Sequence, residues 1–132
     1  MQDLLAGQVS MIFDNIPGAL AQVRAGKVRP IAVTSATRTP VAPDTPTISE
    51  TLVGFDIVSW TTLTGPAKLP ANVVSRLSEL SKTALESEDL KAKFLDLGAT
   101  PWWQTPAATL AFRDAEEERK APIIKKSGAR VD

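Results

Sequence analysis

The sequence predicts an α/β fold in which parallel strands are flanked by helices, and three observations carry that prediction. Residues 9–34 read as strand, capped turn, helix and strand. Residues 55–63 are dominated by branched and aromatic side chains. After Pro66 the pattern turns helical, which divides the chain into 1–65 and 66–132.

Taken in order, Val9–Phe13 is an apolar run of strand length. Asp14-Asn15 before Ile16-Pro17 is a helix start, since an Asn or Asp cap and a proline in the first turn both suit the unbonded amides there. Ala19, Leu20 and Val23 share a face, and Gly26 ends the helix. Pro30–Thr34 is the next strand, so the helix between makes a parallel, right-handed crossover. Residues 35–46 carry three prolines and form an irregular surface segment. Thr47 and Glu50 have capping-box spacing for a short helix. Phe55–Leu63 is a strand, broken by Gly65-Pro66.

Pro70 opens an amphipathic helix to about Ser87, with Val73, Val74, Leu77, Leu80, Ala84 and Leu85 on one face. Glu88–Leu97 is a second helix, with Leu90, Phe94 and Leu97 inward and Gly98 closing it. Trp102 and Trp103 alternate sides of a short extended piece, so one ring should be more exposed. Thr105-Pro106 starts a last helix toward Lys126, with Leu110, Phe112 and Ala115 inward and Pro122 expected to kink or end it. Ser127-Gly128 closes it, and Ala129–Val131 is expected to be extended.

Several function classes lose support. The chain has no histidine and no cysteine, hence neither the commonest general base and metal ligand nor any thiolate. Ser10, Ser35 and Ser59 have no histidine to activate them, and no phosphate-binding glycine loop is present. The expectation is therefore no enzyme, no cofactor and no metal. Fifteen basic residues balance fifteen acidic ones, which argues against a nucleic-acid partner. No apolar run is long enough for insertion into a membrane, and the N-terminus is not a signal peptide, so the chain as written would stay in the cytoplasm.

Four residues stand out as ligand-binding candidates. Phe13, Asp14 and Asn15 lie where a strand ends and a helix begins, the position at which α/β sheets take ligands and helix dipoles favour anions. The alternative is that Asp14 and Asn15 merely cap the helix. Trp60 is either a ligand contact or a core aromatic.

Five stretches in register, residues 6–15, 23–35, 43–50, 54–60 and 127–132, resemble the C-terminal part of the tripartite tricarboxylate transporter substrate-binding proteins, the Bug-type receptors. That resemblance covers essentially the whole chain. It implies a two-lobed Venus-flytrap receptor exported to the periplasm, which captures a small organic carboxylate between its lobes and passes it to membrane permease subunits. Residues 1–65 would belong to the second lobe and its crossing strand, and 66–132 would return to the first. Full members are more than twice as long, so this chain would be a C-terminal fragment. Glu117, Lys120, Pro122, Thr61-Thr62 and Trp102-Trp103 depart from the family pattern. A contrasting reading is an orphan α/β interaction domain without transport function.

Overall fold

The computed structural model describes residues 1–130. Its helices are α1 (Gln2–Leu5), α2 (Ile16–Arg24), α3 (Ala71–Glu86), α4 (Glu88–Asp96) and α5 (Pro106–Ser127), with one 3-10 turn at Ile48–Glu50. The chain forms two compact units. One joins Met1–Ala67 to Glu86–Pro101, and the other joins Lys68–Leu85 to the chain from Trp102 onward.

In the first unit, α2 starts and stops where its capping residues require. Asn15 is the extended N-cap, Pro17 occupies the first turn, and Gly26 follows at φ +67°. α1 has no counterpart among the sequence expectations. α4 begins on the Ser87 hydroxyl, which accepts from Leu90 N–H, and ends on Gly98. Leu90 and Phe94 are partly covered, but Leu97 is exposed, contrary to its expected inward position. Leu97 is the C-cap of α4, and the backbone turns away from the helix at Gly98 directly after it.

Residues 34–57 are fastened mainly by side chains. Arg38 donates from Nε and Nη2 to the two carboxylate oxygens of Glu50, each at 2.8 Å, and from Nη1 to Pro43 O. Thr47 and Glu50 form the expected capping box. Ser49 donates to Ala36 O, and Ala36 N–H donates to Asp56. Thr45 and Thr47 are buried here, and Leu20 is the buried apolar residue. The fork-to-fork pairing is the geometry in which guanidinium and carboxylate fit best.

The expected strands do not assemble into a sheet among the described residues. One parallel bridge joins Val33 to Thr47, made by Val33 N–H to Pro46 O and Ile48 N–H to Val33 O. Ile57 N–H donates to Thr34 O. The segments 9–13 and 30–34, expected to pair across α2, do not. A strand is stable only when a neighbour takes its amides and carbonyls; segment 30–34 finds its partners at 46–48 and Ile57 instead of at 9–13. Met11, Phe13 and Ile31 are correspondingly exposed.

In the second unit, the covered line of α3 is Val74, Ser78, Ser81 and Leu85. The expected face is only half used, because Val73, Leu77 and Leu80 remain open. Trp103 explains the rotation: its indole donates to Ser78 O at 3.1 Å, and Lys82 Nζ lies 5.0 Å from its ring centroid. Trp102 is the exposed ring of the pair and packs edge-on against Phe112, centroids 4.8 Å apart.

α5 starts as expected, with Thr105 accepting from Ala108 N–H ahead of Pro106. Pro122 does not end it, and two residues expected to face inward do not. The helix runs on through Pro122 to Ser127, where Gly128 at φ +71° caps it. Proline removes one amide donor, and on an exposed helix water serves the carbonyl left open. Leu110 and Ala115 face solvent, whereas Phe112, Glu116 and Lys120 share the less exposed line. Glu116 is held there by Lys120 and Arg119, each at 2.6 Å. The expected extended segment Ala129–Val131 ends in Val131, which lies outside the described residues.

Met11, Phe13, Ile31, Val53 and Leu63 of the first unit are all exposed. Apolar surface and open strand edges drive association. Size-exclusion chromatography with light scattering is therefore expected to show dimers or larger species; a monomer that unfolds cooperatively contradicts this. A second expectation concerns acid. Hydrogen bonds from Arg38, and then from Thr47 N–H, hold the Glu50 carboxyl at about 2, against an ordinary 4.5. A depressed carboxyl stabilises the fold above its unfolded value and loses that contribution as pH falls. Hydrogen exchange at the Glu50 and Ile48 amides should thus accelerate between pH 4.5 and about 2, and Glu50→Gln should abolish that step.

Candidate functional site

The turn at Phe13-Asp14-Asn15 is built by the collision of a strand-like run with a proline-started helix. Phe13 presents its ring to solvent, 78% exposed. Asp14 Oδ1 accepts the N–H of Asn15 at 2.8 Å, which fixes the carboxylate against the backbone. The same carboxylate leans over the first turn of α2, where a Cβ added to Gly18 would lie 3.4 Å from Oδ1. A carboxylate there complements the positive end of the helix.

Asn15 occupies the N-cap position with φ −74° and ψ 141°, but its side chain makes no capping hydrogen bond. Its carbonyl instead collects the N–H groups of Gly18 and Ala19 at 3.0 and 3.1 Å. Pro17 has no N–H to offer. Ile16 N–H takes no backbone partner among the described residues. The turn therefore presents the Ile16 amide and the Asn15 side-chain amide as donors beside an exposed aromatic ring. Such a set can hold one carboxylate, while Asp14 opposes an anion that approaches it too closely.

Trp60 sits on the 55–63 segment of the same unit and is partly covered. The structure gathers Phe13, Asp14 and Asn15 into one turn and leaves Trp60 on a separate stretch of chain. Sequence reasoning missed the pairing of Arg38 with Glu50 and the packing of Gly98 on Ile16 and Val41. The capping-box spacing marked Glu50 as a cap but carried no sign of its arginine. Among the described residues no group of three or more acidic side chains is placed to hold a metal ion. No helix among them is long and apolar enough to cross a membrane.

Two solved structures superpose closely on this chain. The R. palustris protein Rpa4515, solved with adipate, superposes with a TM-score of 0.89 at 32% identity, over 96% of this chain and 43% of its own. A periplasmic transporter superposes at 0.84 with 28% identity, over 99% of this chain and 44% of its own. The chain thus has part of the α/β fold of periplasmic binding proteins. The profile of the tripartite tricarboxylate transporter family receptor matches residues 1–129, and the chain belongs to that family. Among curated relatives, the UPF0065 protein in the TAR-I ttuE-ttuC' intergenic region of Agrobacterium vitis is 36% identical over 97% of this chain. Protein BugT of Bordetella pertussis is 30% identical over 98%. The chain spans 38% and 40% of the length of these two. The matching family is one of transporter receptors.

Proposed function

We propose that this chain contributes to a periplasmic solute-binding receptor that captures a small organic carboxylate and delivers it to the membrane permease subunits of a tripartite tricarboxylate-type transporter. The observation that carries the reading is the uncapped start of α2, where the Asn15 side chain and the Ile16 amide are both left available in a chain of a receptor family. In this proposal residues 1–65 belong to one lobe and its crossing strand, and 66–132 supply helices that return toward the other, apart from 86–101, which pack with the first.

Each residue of the proposed site then has a task. Ile16 N–H and Asn15 Nδ2 donate to one ligand carboxylate, aided by the helix dipole. Phe13 covers the aliphatic part of the ligand with its exposed ring. Asp14 holds the Asn15 backbone in place and repels a poorly placed second anion. The adipate held by the R. palustris relative has this chemistry, a carboxylate on a methylene chain.

Adipate titration of the ¹⁵N-labelled chain is the test. Saturable movement of the Ile16 amide and the Asn15 side-chain signals is expected. Asp14→Asn keeps the acceptor for the Asn15 N–H but removes the competing charge, so it should tighten adipate binding by about fivefold, the value of roughly 1 kcal/mol between charges 4 Å apart in water. Asn15→Ala should weaken it. A flat titration across four- to six-carbon dicarboxylates, or a weaker Asp14→Asn variant, counts against the reading.

A further inference from the structure

We propose that Gly98 is a positioning residue for the Asn15–Ile16 turn, acting through a contact that only a residue without a side chain permits. Its meaning for ligand capture rests on the receptor reading above, whereas the geometry stands apart from it.

The contact begins with how α4 ends. Gly98 N–H donates to Leu95 O at 2.8 Å and Ala99 N–H to Phe94 O at 2.9 Å, the paired closure of a Schellman motif. The motif needs a left-handed residue, and Gly98 has φ +71°. Gly7, Gly26, Gly54 and Gly128 also have positive φ, and each faces open space within 4 Å of where a Cβ would lie. Gly98 differs. A Cβ there would collide with Ile16 Cγ2 and would lie 3.1 Å from Val41 Cγ2 and 3.5 Å from Ile16 Cβ.

Ile16 is the first residue of α2 and the one whose amide is left open. Val41 belongs to the segment that Arg38 fastens to Glu50. The bare Cα of Gly98 thus lets the end of α4 seat against both, and it fixes how far the start of α2 can move. A β-branched side chain at 16 fits this seat because its Cγ2 fills the space that a Cβ at 98 would occupy. The start of α2 is set by three segments meeting at one glycine, in addition to its own cap.

Amide spectra of the ¹⁵N-labelled full chain test this without ligand. Gly98→Ala is expected to displace the Asn15, Ile16 and Gly18 signals. Gly26→Ala imposes similar backbone strain at φ +67° on the same helix without a new contact and should leave those signals in place. Adding Ile16→Leu, which removes the methyl on Cβ, should return the Asn15 and Gly18 signals toward their original positions in the Gly98→Ala chain. Adipate affinity should fall about tenfold in Gly98→Ala, equivalent to 1.4 kcal/mol, and recover in the double variant. The proposal is overturned if Gly98→Ala moves the turn no more than Gly26→Ala does. It is equally overturned if Ile16→Leu restores neither the signals nor, where Gly98→Ala prevents folding, the fold. Signals that move and recover while even the unaltered chain ignores adipate would support the positioning role and remove the ligand site.

Discussion

The ion pair between Arg38 and Glu50 is the interaction on which the first unit depends. Both oxygens of one carboxylate are engaged by one guanidinium, and the same carboxylate accepts Thr47 N–H. A proline-rich segment with almost no ladder bonds is thereby given one shape. Thr45 and Thr47 become buried, Val33 finds its single bridge, and Val41 is presented to Gly98. Gly98 in turn seats Ile16, and Ile16 begins the helix whose open end is the candidate site. Loss of the clasp would therefore reach the site through packed side chains, with no direct contact between them.

Local chemistry was legible in the sequence. The Asn15-Ile16-Pro17 start, the Thr47–Glu50 capping box, the Thr105-Pro106 start and the glycine ends at 98 and 128 all appear as read. Each is decided within about one helical turn, where propensity and capping outweigh tertiary context. What depended on distant partners was not legible. Arg38 and Glu50 are twelve residues apart, and nothing in their spacing announces a pair. Leu97, Leu110 and Ala115 were read inward from periodicity alone, but the units cover other lines of α4 and α5. Pro122 was read as a kink or an end because it lacks an amide donor, but the helix continues past it to Ser127. The candidate turn was legible as two alternatives, cap or anion site; Asn15 stands at the N-cap position without a side-chain capping bond.

The extended segments show what a strand-forming sequence does without its neighbours. Residues 9–13, 30–34 and 55–63 have the composition of strands, but the described residues pair them only at Val33 and Thr47. The relatives, at well over twice the aligned length, have additional chain with which such edges can pair. In the proposed receptor those edges are where the remaining sheet would join, so the exposed apolar surface and the partial site have one origin.

The most direct test of the central claim is an isotope-filtered NOE experiment between adipate and the labelled chain. The account predicts contacts from the adipate methylenes to the Phe13 ring and from the methylene next to one carboxylate to the Asn15 side-chain amide. Contacts confined to other residues, or none at saturating adipate, would contradict it.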